Sequence, residues 1–251
     1  MSRNRQIEEA SLNAWPALNV LLYDGWIMRF ANGYTKRANS ITPLYQGELD
    51  VDSKIDFCAQ QFRQQGLRPI FRLAQVNNIG EMDTRLAARA YEKLDLTSVQ
   101  GRPLPGEFEL AAGVDVFDLT TWLQIFHELN PGRGDLHTHQ AILERVLGRL
   151  CPMVLSDGAD KVACGLGVLQ GAYLGLFDIV TRESVRRKGY GRQLTKSLLA
   201  WGQEQSAVYA YLQVMLNNKP AQALYQQLGF SEQYQYWYRI ALNQPTEMLK
   251  Y

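Results

Sequence analysis

Apolar positions along the chain change period repeatedly, and the changes lay out alternating helices and strands. Residues 7–18 predict a helix with Leu12 and Trp15 on one face, disturbed at its end by Pro16. Two strand-like runs follow, at 21–30, containing the turn signal Asp24-Gly25, and at 34–44. Asn32-Gly33 stands between them and predicts a hairpin. The second run is unusually polar for a strand, as a solvated edge would be. Residues 52–66 predict a helix with Ile55, Ala59 and Phe62 inward and Gly66 as its cap. A strand at 69–74 and a helix at 83–94, capped by Asp83, come next. Gly101-Arg102-Pro103-Leu104-Pro105-Gly106 breaks all periodicity and predicts a linker.

Beyond it a short strand at 107–114 precedes helices at 118–129 and 135–150. Runs at 153–155, 162–170 and 173–180, separated by turn signals, predict an antiparallel meander. The remainder reads helix 193–201, strand 208–215, a helix from Pro220 and a last strand at 233–240. On that last strand Tyr234, Tyr236 and Tyr238 share a face and Trp237 takes the other.

The junction between the strand at 173–180 and the following helix carries the most specific chemistry. Gly189 and Gly191 stand where the helix must begin, and glycines there let amides converge and a ligand come close. The first turn of a helix also leaves N–H donors unpaired at the positive end of its dipole, which suits phosphate. Arg186, Arg187, Lys188 and Arg192 add charge around them, so the stretch has the makings of a pyrophosphate cradle. It is not a P-loop, which needs Gly-Lys-Ser/Thr, nor a dinucleotide fingerprint, which needs a third glycine.

The pattern Arg186-x-x-Gly189-x-Gly191 resembles the acyl-CoA loop of the GNAT superfamily of N-acetyltransferases. Asn218-x-x-Ala221-x-x-Leu224-Tyr225-x-x-x-Gly229-Phe230 resembles the superfamily's next helix. The resemblance implies an α/β (α+β) fold with two GNAT-like domains, each a mixed, mostly antiparallel sheet flanked by helices. Residues 107–251 match as the acetyl-CoA-binding catalytic domain, and residues 1–102 resemble a degenerate first half of a bacterial tandem GNAT protein. Ala87-x-x-x-Tyr91-x-x-Leu94 parallels Ala221-x-x-x-Tyr225-x-x-Leu228. Where the second half has its cradle, the first has Glu48, Asp50, Asp52 and Asp56, which would repel a pyrophosphate.

Carried over by position, the resemblance makes acetyl-CoA the co-substrate and an amine of a small molecule or peptide the acceptor. It assigns the acyl-CoA arm to Ile179 and Thr181, to the cradle Arg186, Arg187, Lys188, Gly189, Tyr190, Gly191 and Arg192, and to Asn218. Tyr225 becomes the general acid, protonated at neutral pH with an ordinary pKa near ~10. No general base is legible: regular alternation turns Asp178 away from Ile179 and Thr181, and the face Gly175, Phe177, Ile179 has nothing to titrate. The polar run at 34–44 fits either a solvated edge or an acceptor-binding surface. A binding module that holds acyl-CoA without turnover is the alternative.

Composition narrows the partners. The chain has 251 residues, 46% hydrophobic and 20% charged, enough for a folded core. A net charge of +1 argues against nucleic acid or an anionic membrane as partner, so the cluster at 186–192 reads as a local ligand site. The first ten residues lack a signal peptide's apolar stretch, and the expectation is a cytoplasmic monomer or homodimer. Three scattered cysteines, Cys58, Cys151 and Cys164, form no disulfide framework, and Cys164 reads as packing rather than an acyl carrier. His137-x-His139 lacks a third ligand, so no metal is expected, and His127 reads as structural.

Overall fold

The computed structural model describes residues 2–77 and 79–241. Among the described residues the α-helices are α1 (Arg3–Ala14), α2 (Val51–Gln64), α3 (Met82–Ala88), α4 (Leu119–Leu129), α5 (Leu136–Leu143), α6 (Tyr190–Glu204) and α7 (Lys219–Gln227). Ser2, Asp50, Asp118, Asp135 and Asn218 start five of them, each side chain accepting from the amide three residues ahead. Only α6 among these long helices starts at a glycine, Gly189.

The strands among the described residues are β1 (Asn19–Tyr23), β2 (Trp26–Phe30), β3 (Ile41–Pro43), β4 (Ile70–Ala74), β5 (Tyr91–Pro103), β6 (Val114–Val116), β7 (Arg149–Asp157), β8 (Asp160–Gln170), β9 (Tyr173–Thr181), β10 (Tyr209–Met215) and β11 (Ser231–Ala241). They form one sheet in the order β1-β2-β3-β4-β11-β5-β10-β9-β8-β7-β6. Two pairs run parallel, β3 with β4 and β9 with β10. Each half then gives its last strand to the other. β5 lies against β10, β11 lies against β4, and the two exchanged strands pair with each other at the centre.

Several local expectations are corrected by this pairing. Gly101, Arg102 and Pro103 close β5 instead of opening a linker, opposite Tyr211, Ala210 and Tyr209. Tyr91 begins that strand, so its helical match to Tyr225 fails; α3 ends at Ala88. The hairpin forms at Asp24-Gly25, joining β1 to β2, with both residues at positive φ. Asn32-Gly33 instead enters a buckled loop, whose shape is held by buried Asn39: its Oδ1 accepts from the Ala31 and Gly33 amides at 2.7 and 2.9 Å. The predicted helix at 135–150 stops at Leu143, and residues 107–110 form no strand.

Helices cover both faces. Trp15, which follows α1, and Trp122 and Phe126 of α4 are buried on one face with Phe177, Tyr211, Tyr234, Tyr236 and Tyr238. Burying side chains of this size stabilises the fold by about 1.5–3 kcal/mol each. On the other face α6 and α7 pack through Leu194, Leu198, Tyr225 and Leu228, and α2 and α3 through Ile55, Phe62 and Leu86. Trp237 packs with this last group, opposite the three tyrosines, as alternation predicts. Buried Glu8 of α1 accepts from Arg72 of β4 and from the Tyr234 hydroxyl at 2.8 Å, so the pair is hydrogen-bonded as well as charged. Among the described residues no helix is long and apolar enough to cross a membrane.

Candidate active site

β9 and β10 pair from Tyr173–Tyr209 only as far as Leu176–Leu212. Beyond that point they part. A cavity of about 290 Å³ opens there, lined by residues 176–180, 212–215 and, from the next segment, Asn218, Ala221 and Tyr225. The cause lies in β9. Phe177 opposes Leu166 and Val180 opposes Cys164, so Asp178 and Ile179 together face only Gly165. This is a β-bulge, with Asp178 at φ 46°, and a bulge bends its strand.

The bulge also decides which residues look where. Ile179 packs with the α6 and α7 cluster, and Thr181 lies beside Gly191. Phe177 faces the other way, stacked on Trp15 at 5.8 Å between ring centres. The expected face of Gly175, Phe177 and Ile179 is therefore broken. Asp178 lies on the Phe177 side with Arg133 at 3.5 Å and His139 Nε2 at 3.1 Å, a close but bent contact. Burial would raise the Asp178 carboxyl, but His139, Arg133 and Arg37 together hold it below its ordinary range. A carboxylate therefore lines the cavity at neutral pH, where regular alternation places none.

At the cradle Gly189 takes φ 89°, a left-handed conformation that glycine adopts without strain, and no side chain caps it. Nothing lies within 4 Å of a Cβ built there. The amides of Arg192 and Gln193 return to the Gly189 carbonyl, leaving those before them at the open end of the helix. Arg187, Lys188 and Arg192 are exposed beside it. Arg186 is drawn partly aside, 3.5 Å from Glu183. The Tyr190 ring points away, its hydroxyl donating to Asp157, so only its backbone belongs to the cradle. The donor set and the open space fit an acyl-CoA diphosphate.

Ile179, Asn218 and Tyr225 come together in the smaller cavity. Asn218 accepts from the Ala221 amide at 3.3 Å, which fixes its carboxamide and turns its Nδ2 into the remaining donor. Tyr225 is buried edge-on to Phe230, 6.0 Å between ring centres. Burial pushes its phenol up to about 12 instead of the ordinary value expected from sequence.

A larger cavity, about 530 Å³, adjoins this one, and Arg37, Arg133, Gln213 and Met215 line both. Its lining includes the polar run Gly33–Arg37, which is a loop with a short 3-10 turn and not an edge strand. That polarity was the sequence signal for this wall. Arg133, in a turn between α4 and α5, carried none. His139 is fully buried, ring-stacked on Tyr34 at 5.0 Å, with Nδ1 3.3 Å from His127 Nε2. Burial, and then His139, lower the His127 pKa. His137 is exposed on α5, apart from that pair.

All three cysteines are free and buried. Burial pushes Cys58 and Cys151 up to about 12 and Cys164 higher than its ordinary value. Since the thiolate is the nucleophile, a thiol reagent at about pH 8 is expected to label none of them in the native protein in the time it labels all three in denaturant. Rapid native labelling of Cys164 would reinstate it as an acyl carrier.

A family model described as "Probable histone acetyltransferase Rv0428c C-terminal" matches residues 1–239. A Bacillus subtilis protein named uncharacterized N-acetyltransferase YobR is 27% identical over 248 residues, covering 94% of this chain and 98% of its own length. Probable histone acetyltransferase Rv0428c of Mycobacterium tuberculosis is 24% identical over 235 residues, covering 90% of this chain and 70% of its own. Among solved structures, a GCN5-related N-acetyltransferase from Kribbella flavida has the same fold, with a TM-score of 0.76 at 13% identity over 97% of both chains. A tandem GNAT protein from the clavulanic acid biosynthesis pathway has a TM-score of 0.53 at 14% identity, covering 74% of this chain and 68% of that one.

Proposed function

The chain belongs to the family of that model, within the GNAT-type N-acetyltransferases, and on that premise we propose that it transfers acetyl directly from acetyl-CoA to an amine of a small molecule or peptide. The observation that carries the reading is the parting of β9 and β10 beside a glycine-started helix. Backbone groups of Phe177–Thr181, released from β10, suit an extended amide chain as an added strand. Amides at Gly189–Gly191, with Arg187, Lys188 and Arg192, suit the diphosphate; Ile179, Thr181 and Asn218 flank the arm between.

When bound, acetyl-CoA supplies the acyl group as an activated thioester. An amide of the parted strand donates to the thioester carbonyl as negative charge gathers there. Tyr225 gives its proton to the departing sulfur. Asp178 holds the acceptor's ammonium in the cavity, and water carries the released proton away. The test is loss of thioester with an amine panel. Acetyl-CoA bound but never consumed would favour a non-catalytic acyl-CoA module.

We read the first half as a degenerate copy whose own anion site is filled from within. At the matching helix start, the amides of Glu48 and Leu49 donate to Asp24 Oδ1 and Oδ2, each at 2.9 Å, and Lys54 pairs with it at 2.8 Å. Lys54, then those amides, hold the Asp24 carboxyl down at about 2, so it stays charged at any working pH. Equilibrium titration is expected to give one CoA per chain. Two sites, one of them insensitive to changes at Gly191, would show that the first half also binds.

A further inference from the structure

The larger cavity is built to receive an anion. Its charged lining side chains are Lys36, Arg37, Arg68 and Arg133 against one carboxylate, Asp95, which Lys36 already engages at 2.8 Å. The hydrogen-bonding atoms left over have one sense. Arg37 Nε and Gln213 Nε2 are buried without a hydrogen-bond partner among the described residues, and both can donate. Gln213 is oriented by the Tyr236 hydroxyl, which donates to its Oε1 at 2.9 Å and leaves the amide nitrogen as the group without a partner. Buried polar groups are normally paired, so two unpaired donors beside a lining of four cations and one carboxylate favour an acceptor-rich ligand.

Arg37 is also held ready. Its guanidinium lies 5.3 Å from the Trp15 ring centre and 5.5 Å from that of Phe177, and its carbonyl accepts from Arg29 at 3.0 Å. A guanidinium fixed in plane by aromatic rings is suited to a carboxylate or phosphate, which it can bind through two parallel hydrogen bonds. Arg37 and Arg133 line the smaller cavity too, where the charged side chain of opposite sign is Asp178, its Oδ2 3.1 Å from His139 Nε2. Donors on one side and a carboxylate on the other define a dipolar ligand.

We propose that the acceptor is a small amine carrying an anionic group, held by Arg37 and Arg133 while its ammonium meets Asp178. This rests on the transferase reading above and names its substrate class. A lysine-rich peptide would bring further positive charge to a cavity that is already cationic, and is the excluded alternative.

The experiment uses the full chain with acetyl-CoA and matched amines: free amino acids, their methyl esters, phosphoethanolamine and a lysine-rich peptide. Initial thioester loss is read beside acetyl-CoA affinity by calorimetry. The free amino acids or phosphoethanolamine are expected to exceed the esters and the peptide by about tenfold or more in kcat/KM, the margin of one charge-assisted hydrogen-bonded contact. The acids and phosphoethanolamine distinguish carboxylate from phosphate. Arg37→Gln is expected to raise KM for the anionic acceptor and erase its margin, with acetyl-CoA affinity unchanged. Arg133→Gln, at an independent position, gives the same test should Arg37→Gln fold poorly. Esters or peptide preferred, or a margin that survives both variants, overturns the proposal and leaves the transferase reading standing. No transfer to any amine by a protein that binds acetyl-CoA defeats both.

Discussion

Gly191→Glu is expected to abolish acetyl-CoA binding and leave the fold intact. A Cβ at this position would meet Thr181 Oγ1 at 3.3 Å and Leu224 Cδ2 at 3.7 Å, tight but within what a small shift relieves. Gly191 is not among the residues at positive φ, so a side chain brings no backbone strain. A glutamate in the first turn of α6 even suits the helix dipole. The same carboxylate would stand where the cradle should receive phosphate, and would cancel part of the charge of Arg187, Lys188 and Arg192. Calorimetry should show no heat with acetyl-CoA, and circular dichroism no change. Affinity kept within about threefold, or ~0.7 kcal/mol, would remove the cradle from the site.

Tyr225→Phe is expected to lower turnover by about 10²–10⁴-fold, the range of a general acid, with acetyl-CoA affinity nearly unchanged. Only a hydroxyl is lost, and the ring keeps its place against Phe230. With its phenol at about 12, Tyr225 stays protonated throughout the neutral range and releases its proton only as charge builds on the sulfur. The defect should therefore fall on kcat and not on the apparent affinity for the donor. The assay must be run where chemistry limits the rate; equal turnover of the two proteins there would take Tyr225 out of the mechanism.

Much of the second half was legible because its signals are local. β9, α6, β10 and α7 each carry their own period, and the glycine pair marks the turn between the first two. β5 was not legible. Residues 91–94 continue a helical stripe from α3, and what makes them a strand is pairing with β10 and β11, more than a hundred positions later. The Asp178 bulge was hidden for a related reason. Alternation assumes a regular strand, and one extra residue opposite Gly165 reverses the side that follows. Arg37 and Arg133 come from loops with no periodicity at all, so only the folded chain brings them beside Gln213.

The exchanged strands set an order of assembly during translation. β4 is complete by residue 74, yet its neighbour on one side, β11, begins only at residue 231 and is made more than 150 positions later. β5 likewise waits for β10 on one edge and β11 on the other. Until then the nascent first half holds open edges at what will become the middle of the sheet, the kind of surface that pairs wrongly with other chains. Synthesis from the amino end ordinarily lets the leading domain finish early. Here the leading half closes only when the trailing half has been made.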